Sequence, residues 1–172
     1  IKKKISETTR SPFKMFSRIE KKGALTVVGS EVTTPCSEIA QHIPPLLKTH
    51  LPRISQIKNR VQEDAGYGII FPEQDAKISY LFSHEVSKVE DVPEGMITKE
   101  VPEAEYAVIV HKGLIINIRE SYGYFSSTWL KENDYEQVKD KPTLEFYVPE
   151  FKGGSFEDSI TELFFPVQKK SN

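Results

Sequence analysis

Two carboxylates in the last third of the chain, Glu145 and Glu162, sit among aromatic and aliphatic residues in short strand-like runs, TLEFY (143–147) and ITELFFPV (160–167). A carboxylate held among rings costs free energy unless it is solvated or meets a partner. In an extended chain Leu144, Phe146 and Val148 point one way, and Thr143, Glu145 and Tyr147 the other. In the second run Leu163, Phe165 and Val167 make an apolar face, with Ile160, Glu162 and Phe164 opposite. The expectation is one core face and one face carrying both glutamates beside Tyr147 and Phe164. Such a face either meets water, as half-exposed antiparallel sheets do, or lines a groove. In a groove the carboxylates draw a cation or, with raised pKa values, carry protons. Two carboxylates at short range would repel and raise one pKa, which favours acid–base catalysis by Glu145 or Glu162.

Strand parity adds Tyr147, Tyr67, Tyr80, Phe82 and Phe164 as groove walls, each with plain core packing as the alternative. Trp129 at a helix end either packs between helix and sheet or reaches the groove, and partial exposure is expected there. Tyr106 is a similar candidate. His84 and His111 have no partner at a readable spacing, and Cys36 has no His or Asn motif beside it, so all three read as structural. Four scattered histidines and one cysteine offer no metal-ligand spacing, and no cofactor is expected. The HKG at 111–113 lacks the glycines of a phosphate loop.

The elements that must place these groups can be read along the chain. Residues 1–22, rich in Lys, Arg, Ser and Thr, read as an exposed lead-in or linker tail, and 23–172 as one domain. Its halves run from about 24 to 90 and 97 to 168, with the polar VEDVPEGM between them. The first half predicts a strand at 24–32, then a broken helix at 37–60. There Ile39, Ile43, Leu46, Leu47 and Leu51 form the buried stripe, and Pro44, Pro45 and Pro52 interrupt it. A hairpin follows, from YGIIF (67–71) to ISYLFSHEV (78–86). The second half repeats the order: a strand at 104–111, an amphipathic helix at 114–131, and a hairpin over 142–167 turning at Gly153-Gly154. Setting ISYLFSHEV against ITELFFPV aligns Tyr80 with Glu162 and Phe82 with Phe164. The fold class is therefore α+β: two pseudo-symmetric βαββ units with an antiparallel sheet, helices on one side and a ligand groove between the halves.

With 172 residues, 28% charged and 38% hydrophobic, the chain has the composition of a soluble globular domain. A net charge of −2 and a pI near 6.1 give no basic footprint for direct nucleic-acid binding. No apolar run has the length of a membrane span, and the single cysteine points to the cytoplasm. The chain begins at Ile1 rather than Met, which leaves room for a segment upstream, such as a DNA-binding domain.

EYAVIVHKG, a helix ending in Trp-Leu, then LEFY and ELFFPV resemble the GyrI-like small-molecule-binding domain, the effector-binding domain of multidrug-responsive transcription regulators. The resemblance runs from about 24 to 167. It implies a groove between two βαββ units that binds bulky, often cationic or aromatic compounds. Glu145 matches the family's glutamate, although Leu144 replaces the usual preceding residue. Glu162 matches its second acidic position, Trp129 its helix tryptophan, and Tyr67-Gly68 its Y-G. The implied function is binding of a small aromatic or cationic compound by a freestanding protein. The alternatives are a hydrolase that opens strained cyclopropanoid genotoxins and the sensing module of a regulator, with a DNA-binding or protein partner elsewhere.

Overall fold

A computed structural model describes residues 15–148 and 157–171. The chain forms β1 (Phe16–Lys22), β2 (Leu25–Pro35), α1 (Ile39–His50), β3 (Gly66–Pro72), β4 (Lys77–Glu85), β5 (Ile97–Val101), β6 (Ala104–Lys112), α2 (Ile118–Tyr124), a π-helical turn (Phe125–Trp129), α3 (Leu130–Glu132), β7 (Tyr135–Gln137), β8 (Thr143–Tyr147) and β9 (Ile160–Lys169). The glycine turn expected at 153–154 lies outside the described residues.

Every strand pairing is antiparallel, and the sheet runs β1-β6-β9-β8-β3-β4-β2-β5, with short β7 added to β9. The repeat read in the sequence is there as β2-α1-β3-β4 and β6-α2-β8-β9, joined along the central β3–β8 ladder. Phe16–Lys22, expected in an exposed lead-in, is instead a strand hydrogen-bonded along β6.

Two short connections give the sheet its shape. Only Gly23 and Ala24 separate β1 from β2, yet these strands stand first and seventh in the order. On a flat sheet six spacings would hold them roughly 29 Å apart, whereas three Cα steps reach about 11 Å. Only Pro102 and Glu103 join β5 to β6, strands eighth and second. The sheet must therefore curl until its ends meet, and its inner face closes on itself. Tyr67, Ile69, Leu81, Val108, Leu144 and Phe164 are buried there without any helix covering them.

The outer face is covered by helices. α1 packs on β2 and β4, and α2 on β6. The α1 stripe continues at helical spacing from Ile39, Ile43 and Leu46 to His50, which is fully buried, while Leu51 is 50% exposed. The helix also runs through Pro44 and Pro45 and tightens to a 3-10 turn only at Leu51–Gln56. The tertiary anchor at His50 outweighs the local loss of ladder bonds. In the second unit the π turn lets Tyr122, Phe125 and Trp129 all face the sheet. Phe125 stacks on Phe165 with centroids 4.0 Å apart, and the Ser126 and Ser127 hydroxyls donate to the Gly123 carbonyl at 3.3 and 2.6 Å.

Strand β2 sits close against β4: a Cβ added at Gly29 would lie 2.0 Å from the Phe82 carbonyl oxygen, a backbone atom that cannot swing aside. Gly29→Ala is expected to destabilise the fold by more than about 2 kcal/mol. Gly23→Ala, with nothing within 4 Å, should stay within about 0.5 kcal/mol. Urea unfolding of the two variants checks the contrast.

Candidate functional site

The register places the two glutamates on opposite faces. Glu145 pairs with Leu163 and Gly68, and Phe146 pairs with Glu162 and Tyr67. Within each strand the alternation is as expected, but the faces of β8 and β9 match the other way round. Both faces are apolar, one under helices and one inside the curl, so hydrophobic alternation could not say which belonged to which. The alignment of Tyr80 with Glu162 and Phe82 with Phe164 is accordingly one residue out of step. Tyr80 and Phe82 share the helical face with Glu145 and Tyr147, whereas Glu162, Phe164, Tyr67 and Tyr106 face inward. The short-range carboxylate pair is thus absent. Trp129 is 3% exposed and packs on Phe125 and Tyr135, a core role rather than the partial exposure expected.

On the helical face, β8 and β3 lie between the strands that carry α2 and those that carry α1. There Glu145, 8% exposed, accepts hydrogen bonds from the hydroxyls of Tyr122 on α2 and Tyr147 on its own strand, both at 3.1 Å. Tyr147 is in turn hydrogen-bonded to Tyr80. Because the Tyr147 proton goes to Glu145, Tyr80 is the donor in that link. Burial raises the Glu145 pKa above the usual carboxylate range, and the two phenol donors pull it part of the way back. Among the described residues Glu145 forms no ion pair. Tyr122 and Tyr147 are half-buried, so they stand between the carboxylate and solvent.

Glycine explains how the first unit reaches this point. A Cβ at Gly68 would meet the Tyr80 hydroxyl oxygen at 2.5 Å, and one at Gly66 would crowd His84 and Phe82 at 3.3 and 3.4 Å. In the Tyr67-Gly68 pair it is therefore Gly68 that faces the cluster, by leaving room for Tyr80 to lie across β3. Tyr122 was missed in the sequence because its helix was read as a plain apolar stripe.

Beyond Phe82 the wall continues into a histidine pair. The His50 and His84 rings are coplanar within 7° with centroids 5.4 Å apart, and their Nε2 atoms meet head on at 3.2 Å. His84 Nδ1 lies 3.0 Å from the Ala65 carbonyl, so it carries a proton and leaves its Nε2 as acceptor. His50 then donates from Nε2 and accepts the Ser30 hydroxyl at Nδ1, 2.8 Å away. Every ring nitrogen is committed to the neutral form. Burial lowers His50 to about 4, helped by the repulsion a protonated His84 would exert and by the Arg53 charge, and burial also lowers His84. His84 had no readable partner because His50 lies 34 residues away on another element. Among the described residues no group of three or more metal-ligating side chains forms. His111 is likewise structural, donating to the Leu114 carbonyl at 3.0 Å and accepting from Ser121 at 2.8 Å. An open cleft of about 430 Å³ beside β7, edged by Lys131, Lys139 and Lys170, includes none of these groups.

The curled antiparallel sheet thus carries a half-screened acidic and aromatic cluster between its two helices. The chain belongs to the GyrI-like small molecule binding domain family, whose description matches residues 15–168. It is 32% identical over 155 residues to the transcriptional regulator BrlR of Pseudomonas aeruginosa, covering 89% of this chain and 56% of that protein; the chain thus spans about half of that relative's length. Among solved structures it is similar to SAV2435 bound to tetraphenylphosphonium, with a TM-score of 0.75 and 20% identity, covering 89% of this chain and 94% of that one. It is also similar to EcmrR in a complex with DNA, with a TM-score of 0.65 and 18% identity, covering 91% of this chain and 58% of that one. Among the described residues no helix is long and apolar enough to cross a membrane.

A base whose folded pKa lies below its unfolded value binds fewer protons when folded, so its stabilisation is complete above about pH 6.5 and drains as pH falls to about 4. For His50 this amounts to about 3 kcal/mol at most. The stability advantage of the wild type over His50→Gln, which cannot titrate there, should shrink by about that amount between pH 7 and pH 4. The raised Glu145 acts in the opposite sense but is common to both proteins and cancels. Denaturant unfolding at the two pH values measures the difference.

Proposed function

We propose that the domain binds a lipophilic organic cation against Glu145, with Tyr122, Tyr147, Tyr80 and Phe82 supplying aromatic walls. The supporting observation is the state of the carboxylate: buried, raised in pKa, and partnered by neutral hydroxyls instead of a charge. Two phenol donors soften the desolvation of an ionised carboxylate, and a cation arriving in the same dry space adds the missing charge. Aromatic faces contribute apolar area and cation–π attraction without any demand on ligand shape. Entry requires Tyr122 or Tyr147 to move, since these half-buried rings screen Glu145. The tetraphenylphosphonium named with the similar structure SAV2435 is a cation of this chemical class.

The likeness to the transcriptional regulator BrlR, of which 56% is covered, favours a sensing role in transcription regulation. A freestanding protein that sequesters the same compound is the other reading. The full reading frame separates them: a helix-turn-helix segment in the same chain supports the sensor, and a start codon adjoining Ile1 supports the freestanding protein.

Calorimetry with tetraphenylphosphonium and the neutral triphenylphosphine oxide tests the role of Glu145. Glu145→Gln should weaken the cation by about tenfold or more and the oxide by less than about threefold. Affinity for the cation should also rise with pH through the titration of Glu145 in the wild type and lose that slope in the variant. Equal losses for both compounds would remove the glutamate from the reading.

A further inference from the structure

On the inner face, the rings of Tyr67 (β3), Phe146 (β8) and Phe164 (β9) form a contiguous wall. Tyr67 and Phe146 stack with centroids 4.6 Å apart, and Phe146 meets Phe164 at 6.4 Å and 70°. The Lys22 Nζ stands over all three, at 5.7, 5.9 and 5.2 Å from their centroids. These distances are within the range for cation–π attraction, and three converging faces are the arrangement by which proteins hold alkylammonium groups. The walls come from three neighbouring strands, but the cation comes from β1 at the end of the sheet; only the curl brings them together.

The charges around this cage favour a cation. Arg18, on the same face of β1, pairs with Glu20 and Glu162 and lies 5.9 Å over Phe164. The carboxylates of Glu85, Glu20 and Glu162 all act on the Tyr67 hydroxyl. Arg18 and Lys22 thus share this part of the face with Glu20, Glu85 and Glu162. Lys22 is half-buried, so its aliphatic stem lies against protein while its ammonium meets the rings.

We propose that Tyr67, Phe146 and Phe164 form a second organic-cation site, on the face opposite Glu145, which the chain fills with its own Lys22 and for which an external alkylammonium or quaternary ammonium competes. The two sites are back to back, since Phe146 follows Glu145 on β8 and Tyr67 lies between Gly66 and Gly68 on β3. The resident ammonium also helps hold edge strand β1, so a competing cation loosens that strand. The inner site does not depend on the proposed role of Glu145.

The test uses the full chain in a Glu145→Gln background, which removes the carboxylate of the outer site. Lys22→Met is added to empty the cage of charge while keeping an apolar stem. Choline is the probe, and 3,3-dimethylbutan-1-ol is its neutral isostere. The doubly substituted protein should bind choline about tenfold or more tighter than Glu145→Gln alone, with NMR shifts centred on the three rings and no such gain for the isostere. Equal affinity with and without Lys22, an equal gain for the alcohol, or shifts elsewhere would overturn the proposal. Independently of any variant, ring currents should move the Lys22 side-chain protons upfield of those of lysines that lie over no aromatic ring in the unmodified protein, Lys99 over Phe71 being the other shifted one. Ordinary shifts there would overturn it as well.

Discussion

Two connections of two residues each constrain everything else. By tying the first strand of the sheet to the seventh and the eighth to the second, Gly23-Ala24 and Pro102-Glu103 curl an eight-strand order onto itself. A sheet with a helix layer on one side and its own far end on the other leaves little of either face to solvent except toward its edge strands, where the Arg18 side chain is still 45% exposed. Each charged side chain that points into either layer must then find a partner or meet a cost of several kcal/mol. On the inner face the edge strands solve this with cations: Arg18 from β1 pairs with Glu162, and Lys99 from β5 pairs with Glu31 and lies 4.3 Å over Phe71. The pseudo-equivalent strands do equivalent work at the two ends of the curl.

Glu145 is the carboxylate to which this solution does not extend. Its partners are phenols, each worth about 1.5–3 kcal/mol to a charged acceptor, and they leave burial as the dominant influence on its pKa. Glu162 instead has a guanidinium beside it and keeps part of its side chain in solvent. The two residues look alike in sequence, since each stands between apolar neighbours in a short strand. What separates them is whether a cation reaches the same face, and that is decided by strands 120 or more residues away in the chain.

The legible parts of the molecule follow from this. Local patterns revealed β2, β3, β4, β6, β8 and β9 but not β1, β5 or β7, and they revealed the two units and the alternation that sends Glu145 and Tyr147 one way and Leu144 and Phe146 the other, because each depends on neighbours within a few residues. The match of one strand's faces to the next depends on which face is buried. Here both are, so the alternation of β9 was read correctly but joined to β8 on the wrong side. The same slip moved Tyr67, Phe164 and Tyr106 into the groove, although they face the inner core. The lead-in reading failed on Phe16–Lys22 for a related reason. Most of this segment is exposed, as a run of Lys, Arg and Glu suggests, but its pairing along β6 and the carboxylates and rings that receive Arg18 and Lys22, on β3, β8 and β9, could not be read locally. The His50–His84 contact was invisible because it joins a helix end to a strand through tertiary packing alone.

The central ladder shows how a symmetric scaffold comes to hold a single buried carboxylate among the described residues. At the β3–β8 junction the two units bring corresponding strands side by side, and Gly68 faces Glu145. Carboxylates from both units at this point would stand directly opposed, and one would have to take up a proton or move away. Glycine removes the second charge and vacates the space above β3. Tyr80 enters that space from β4, so its hydroxyl meets Tyr147 and extends the line of donors that ends on Glu145. The first unit thus contributes a wall and a hydroxyl, and the second contributes the charge. The locked His50–His84 pair fixes α1 on the first side, whereas Tyr122 on α2 makes its polar contact with the carboxylate itself. A ligand that took over the partnership with Glu145 would therefore act on α2 more directly than on α1, and the two halves would respond unequally although their folds are the same.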